Sequence, residues 1–169
     1  MAYDLYKILL TTKKITSQKG GKIGKLKEYV SERDLEAKLH ETSIEVMTVE
    51  DAAEALDVET EDIIKSLVFF IDSKAYLVIG LGKDPIDEER LKDVLDAEEV
   101  RIASPEEVKE ITGYSIGEVP PISIGLPKVI ERRVIDKDIV YGGGGSIRHL
   151  LEIDPSELVD EEALIASIQ

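Results

Sequence analysis

The chain has 169 residues, 43% of them apolar, and a formal net charge of −15, enough for one full hydrophobic core in a single domain. It has no cysteine, which excludes disulfides, thiolate zinc sites and a cysteine nucleophile, and no apolar run approaches the roughly 18 residues of a membrane span. The opening "MAYDLYKILLTTKK" lacks the charged-then-apolar layout of a secretory signal, so the expected location is cytoplasmic and no membrane partner is expected.

The first predicted element is a strand over "YDLYKILLTT", followed by a lysine-rich stretch and a turn or flexible loop at Gly20–Gly21. Residues 1–27 hold seven lysines and one acid, a net +6, which leaves −21 on residues 28–169. A body that acidic repels nucleic acid unless a local basic patch dominates at close range. Lys13, Lys14, Lys19 and Lys22 are the candidates for such a patch. The other reading is a solvated lysine-rich loop. The division that follows is a lysine-rich extension over 1–27 and a folded domain over 28–169.

Residues 25–39 are helical in tendency, though Ser31 and Asp34 could start a separate helix, and "SIEVM" (43–47) reads as a short strand. In "TVEDAAEAL" the apolar residues 49, 52, 53 and 56 share a helical face, with Thr48 and Asp51 as start signals. "SLVFFI" and "AYLVIGL" flank Asp72-Ser73-Lys74 and predict a β-hairpin. In its first strand, alternation places Lys65 on one face with Ile63, Leu67, Phe69 and Ile71. An ammonium there either snorkels from a frayed strand end or lines a pocket and holds an anion.

Asp84-Pro85 predicts a helix to about residue 95, "EVRIAS" a strand, and Ser104-Pro105-Glu106-Glu107 a capped helix closed by Gly113. Glycine and proline keep Ser115 to Pro127 irregular. "VIERRVID" and "IRHLLEI" read as strands, and Asp154-Pro155-Ser156-Glu157 as the cap of a last helix. Strands interleaved with short helices, without a regular βαβ rhythm, predict an α+β fold: a mixed β-barrel or sheet surrounded by short helices. The chain has no asparagine and two glutamines, with fifteen lysines, a balance expected of a thermophile.

Several chemical motifs fail. "GGKIGKL" resembles a phosphate loop, but Leu26 stands where a Ser or Thr would hold Mg²⁺. "GLGKDP" begins like a dinucleotide fingerprint, but Pro85 takes the third glycine's place. His40 and His149 lack ligand spacing, so zinc chemistry and a Ser-His-Asp triad have little support, and no metal or other cofactor is expected. What remains is "GEVPP" (117–121) and "YGGGGSIRHL" (141–150). The first is a stiff loop whose backbone N–H groups could stabilise an oxyanion, or a rigid surface turn. The second has no side chain to obstruct a ligand, or is a floppy hairpin turn.

These stretches together resemble the YbaK/ProX family of aminoacyl-tRNA deacylases. "MTVEDAAEALD" is similar to the family's first motif, with Met47 where relatives have Phe and Asp57 where they have Gly. Lys65-Ser66-Leu67-Val68-Phe69 follows, then Thr112-Gly113, Gly117, Val119 and Pro121 in GxxxP spacing. "RVIDKDIV" with Asp136 and the run from Gly143 to Leu158 complete the order, with Ile147 where many relatives have Pro.

The resemblance implies a mixed barrel ringed by helices and hydrolysis of the ester between a wrongly attached amino acid and its tRNA. The most plausible substrates are Ala or Cys on a proline-accepting tRNA. It implies Lys65 and Gly117 as the catalytic pair, Lys65 holding a phosphate or carbonyl oxygen and the Gly117 loop orienting the carbonyl. Met47, Thr48, Ser66, Val119, Pro121, Asp136, Gly143, Gly144 and Gly145 are the implied substrate-binding residues. The implied partners are the 3′ end of an aminoacyl-tRNA and an aminoacyl-tRNA synthetase, with the oligomeric state left open. A non-catalytic module that holds an aminoacyl or nucleotide ligand in the same pocket is the alternative.

Overall fold

The computed structural model describes residues 21–169. The predicted opening strand, Gly20, Lys13, Lys14 and Lys19 lie outside them. In chain order the elements are α1 (Gly21–Glu32), β1 (Ala37–Glu41), α2 (Val49–Leu56), a 3₁₀ turn (Thr60–Asp62), β2 (Ile64–Ile71) and β3 (Lys74–Leu81). Then follow α3 (Glu88–Val94), β4 (Val100–Ile102), α4 (Pro105–Thr112), β5 (Lys128–Glu131), α5 (Arg132–Ile135) and β6 (Val140–Gly143). The chain closes with β7 (His149–Ile153), a second 3₁₀ turn (Pro155–Leu158) and β8 (Leu164–Ala166).

The strands form two sheets, one ordered β1-β7-β6 and one ordered β4-β2-β3-β5-β8. The smaller is antiparallel, whereas β5 runs parallel to both β3 and β8. A single bridge, Ile63 to Tyr141, links the sheets, so the expected α+β mixture is an open pair of sheets among the described residues. The larger sheet is buried on both faces, which is why β2 and β3 are apolar almost throughout. Ile64, Val68, Leu77 and Ile79 face the core shared with Leu151, Ile153 and Leu26 of α1. Phe69, Ile71 and Val78 face Leu91 of α3 and Ile168.

Local chemistry explains the elements the sequence predicts. Asp72 and Ser73 both adopt positive φ (47° and 69°), the turn that matches strand twist, and close the β2–β3 hairpin. Thr48 and Asp51 form a reciprocal capping box on α2, and Ser104 and Glu107 form another on α4. Glu107 also accepts from both terminal guanidinium nitrogens of Arg101 at 2.9 Å, which holds its carboxyl at a pKa of about 2.

Five expectations are corrected. The helix expected over 25–39 begins earlier and ends at Glu32: Leu35 donates back to the Val30 carbonyl, Asp34 turns to φ 50°, and β1 follows. Residues 43–47 are not a strand; Thr42 and Val46 donate to Arg148 and Ile147, and the residues between them make no ladder. The third helix is capped by Asp87 rather than opened by Asp84-Pro85, because Asp87 accepts from Glu89 and Arg90. "VIERRVID" is a strand only to Glu131, whose carboxylate caps α5. The last helix is one 3₁₀ turn, followed by the unanticipated β8. Its partner β5 lies some 35 residues earlier, beyond the reach of local pattern.

Ser104→Ala should lower stability by about 1 kcal/mol, the usual worth of an N-cap hydroxyl. Urea unfolding followed by circular dichroism measures this, and an unchanged midpoint would contradict the capping role.

Candidate functional site

A cleft of about 320 Å³ opens where the two sheets meet. The segment entering α2, the start of β2, the 116–119 loop and the β6–β7 hairpin contribute its walls. Seven of the residues singled out by sequence line it together: Met47, Thr48, Lys65, Ser66, Gly117, Val119 and Gly143. Pro121 is buried outside the lining, and Asp136 is exposed at the end of α5. Gly144 and Gly145 are buried in the turn after β6, and Lys22 lies on α1.

Each polar group is positioned by a local device. The Asp51 carboxylate accepts from the N–H groups of Met47 and Thr48 at 3.0 Å each, which fixes the cleft's edge. Those bonds also hold its pKa below the ordinary value, the Met47 bond contributing most. Among the described residues, Lys65 is the only titratable side chain lining the cleft. Its ammonium donates to the Asp84 carbonyl. Burial pushes its pKa down, and the Asp84 carboxylate partly opposes that. Ser66 contributes a buried hydroxyl oxygen with no hydrogen-bond partner. Buried polar atoms are rarely left so, and one facing a cleft is available to a ligand.

Two backbone hydrogen bonds tie the 115–119 loop, beside the buried Val119. Glu118 donates to Ser115 at 3.1 Å, and Gly145 donates to Glu118 at 3.0 Å. Among the described residues the N–H groups of Gly117 and Val119 donate to no backbone carbonyl. Gly117 has φ +83°, and a Cβ there would meet nothing within 4 Å. Gly143 is the opposite case, since a Cβ there would lie 2.4 Å from the Val119 carbonyl oxygen. A Cβ on Gly144 would come within 2.6 Å of His149 backbone. The glycine run therefore packs against its own protein more than it leaves room for a ligand.

The remaining walls are apolar and were not singled out by sequence, because Ile63, Ile64 and Leu150 read as ordinary core. Met47 and Ile116 stand at the rim, 72% and 58% exposed. Both histidines are engaged elsewhere: His40 with Glu152 at 2.6 Å, and His149 with Ser146 at 2.7 Å. No group of three His, Cys, Asp or Glu among the described residues could hold a metal ion. No helix among them is long and apolar enough to cross a membrane.

Residues 44–161 match the family described as the aminoacyl-tRNA editing domain, and every cleft residue falls within that span. The proline–tRNA ligase of Solidesulfovibrio magneticus is 35% identical over 109 residues, 63% of this chain and 19% of the ligase. That of Halalkalibacterium halodurans is 33% identical over 122 residues, 71% of this chain and 21% of the ligase. The chain thus spans about a fifth of the length of these ligases. A solved structure of a proposed trans-editing enzyme for prolyl tRNA synthetase superposes with a TM-score of 0.79 at 30% identity. The match covers 89% of this chain and 98% of that one.

Two glycine substitutions should separate strain from collision. Gly117→Ala has space but an unfavourable φ, and should cost about 1–2 kcal/mol. Gly143→Ala drives a methyl into a backbone carbonyl, and should cost more and displace the 117–121 loop. Denaturant midpoints rank the two, and equal midpoints would mean that the loop does not rest on β6.

Proposed function

Because the chain belongs to the aminoacyl-tRNA editing domain family, we propose that its cleft receives the 3′ end of a mischarged tRNA and hydrolyses the aminoacyl ester. The observation that carries this reading is the pairing of Lys65 with the glycine loop in one cleft that has no other titratable group among the described residues. Water adds to the ester carbonyl carbon, the bond from that carbon to the ribose oxygen breaks, and the ribose oxygen takes a proton. Lys65 holds an anionic oxygen of the 3′ end, and the free N–H groups of Gly117 and Val119 orient the carbonyl and offset its developing charge. With no carboxylate or imidazole from the described residues in the cleft, the tRNA's own terminal hydroxyl assists the water. The apolar walls and the absence of an acid favour a small uncharged amino acid. Ala on a proline-accepting tRNA is the first candidate and Cys the second, in keeping with the ligases that the chain resembles.

A panel of mischarged tRNAs incubated with the purified protein tests this reading. We expect hydrolysis of the Ala or Cys ester and sparing of the cognate prolyl ester. Lys65→Ala should lower kcat/KM by about 10²–10³ while the fold persists. Lys65→Arg should also fail, since a planar fork does not replace a compact ammonium. A wild-type rate in Lys65→Ala would remove Lys65 from the mechanism, and binding without hydrolysis across the panel would favour the non-catalytic module.

The acidic body needs a basic footing for the tRNA, and α1 supports one. The Lys22 ammonium lies 5.5 Å from the centre of the Tyr114 ring, and Ile23 of the same helix lies beside Gly145. Tyr114 and Gly145 are each two residues from a cleft residue, Ile116 and Gly143. The helix therefore borders the cleft on its loop side. Replacing Lys13, Lys14, Lys19 and Lys22 by Gln should weaken tRNA binding, with little change in turnover at saturation. The log–log salt slope should become shallower by roughly 0.7–0.9 for each phosphate that the protein no longer neutralises. Unchanged affinity and slope would make these lysines solvated residues without a ligand.

A further inference from the structure

Lys65 lies opposite Gly80 in the β2–β3 register. A Cβ on Gly80 would fall 2.8 Å from the Gln169 amide nitrogen and 2.9 Å from Ile86. That space is filled by the Gln169 side chain, which pairs with the end of β3 much as a neighbouring strand would. Its Oε1 accepts from the Leu81 N–H at 2.8 Å, and its Nε2 donates to the Leu81 carbonyl at 2.9 Å. The same Nε2 donates to the Asp84 carbonyl at 2.7 Å. That carbonyl is also the acceptor of the Lys65 ammonium, so its two lone pairs have two partners.

A second set of bonds fixes Gln169 and Asp84 from behind. Glu131 is 2% exposed, and its Oε2 accepts from the N–H groups of Ile168 and Gln169 at 2.8 and 3.1 Å. Its Oε1 accepts from the Arg133 N–H and Nε, and the Arg133 guanidinium donates onward to the Asp84 carboxylate at 3.0 Å. The result is a closed ring through Glu131, Gln169, Asp84 and Arg133 that grips Asp84 at both carbonyl and carboxylate. A buried carboxylate is costly unless its oxygens are satisfied, and here four N–H groups satisfy it. Gln169 lies beyond the span matched by the editing family, which ends at residue 161.

We propose that Gln169 is a positioning residue for Lys65: its amide locks the Asp84 carbonyl that aims the Lys65 ammonium into the cleft, and Glu131 and Arg133 brace the lock. The catalytic consequence rests on the reading of Lys65 as the group that holds substrate. The positional consequence does not, and the two are measured separately.

The test compares the full chain with its Gln169→Met, Gln169→Glu and Arg133→Gln variants. Met keeps the volume against Gly80 and removes every hydrogen bond of the amide. Glu keeps an acceptor for Leu81 and loses both donors. Arg133→Gln leaves Gln169 intact and releases the Asp84 carboxylate at an exposed position, which keeps the proposal testable if the Gln169 variants fail to fold. Limited reductive methylation, quantified lysine by lysine by mass spectrometry, reports how accessible the Lys65 amine is. Both Gln169 variants should label Lys65 roughly five-fold faster, the population change expected when one hydrogen bond is removed. Lys92 and Lys109 should be unchanged, and Arg133→Gln should move Lys65 in the same direction by less. Ser104→Ala, which loosens the fold elsewhere, should leave Lys65 as it is. In deacylation, Gln169→Met should lower kcat by about 10–100-fold with little change in KM, the signature of a misplaced group.

Wild-type labelling of Lys65 in both folded Gln169 variants would overturn the proposal, as would wild-type labelling in Arg133→Gln if neither of them folds. A wild-type protein that hydrolyses no mischarged tRNA would overturn the deacylase reading and leave the labelling comparison to decide the positioning role.

Discussion

The cleft depends on the two glycines that end β6, Gly142 and Gly143. At Gly142 a Cβ would come within 3.0 Å of Ile64, and at Gly143 one would fall 2.4 Å from the Val119 carbonyl. Two consecutive residues of one strand thus press against β2 on one side and against the 115–119 loop on the other. These close approaches set how near the sheets come, how the loop lies over them, and where Lys65 and Gly117 stand relative to each other. Any larger residue at either position would widen the seam that the cleft lies beside.

The charge at the cleft differs in sign from that of the whole molecule. The chain carries −15, yet among the described residues no acidic side chain lines the cleft and one ammonium does. Two unit charges 4 Å apart interact by about 4 kcal/mol at an effective dielectric near 20. Exposed acids farther away than a Debye length of about 8 Å are largely screened at physiological salt. A single well-placed cation can therefore outweigh a much larger but distant negative charge. Some of the acidity is engaged locally, as at Asp51, Asp87 and Glu107, whose carboxylates accept backbone N–H groups at helix starts.

Features decided by neighbours in sequence were legible in the sequence, and features decided across the fold were not. The Asp72-Ser73 turn, both capping boxes and the alternation that exposes Lys65 on one strand face depend on residues within a few positions of each other. The GxxxP loop and the lysine were visible for the same reason. Residues 43–47 have strand-like composition, but their would-be partner is the turn before β7, which offers only two acceptors. Glu131 looked like a polar residue inside a strand; it is a buried carboxylate satisfied by residues 37 and 38 positions away. The cleft walls were invisible because an isoleucine beside a cavity and an isoleucine in a core are the same letter. In sequence the glycine run fits either open space for a ligand or a floppy hairpin turn, and only the backbone geometry shows that most of that space belongs to Val119 and His149.

The loop from Ser115 to Pro127 has no helix or strand, yet it has little freedom to lose. Val119, Ile122 and Leu126 are buried in the main core and hold it at three points. Pro120 and Pro121 each fix one backbone dihedral, and both are buried. Gly117 supplies the positive φ that turns its neighbours' N–H groups, and Gly145 ties the next residue down. Ordering a flexible loop around a ligand costs about 1–2 kcal/mol per residue of backbone entropy, which would consume most of the affinity of any small ligand. Here folding has already met that cost. The irregular segment can then face the ligand as rigidly as β2 does on the opposite wall, and the cleft keeps its shape without a helix or strand on that side.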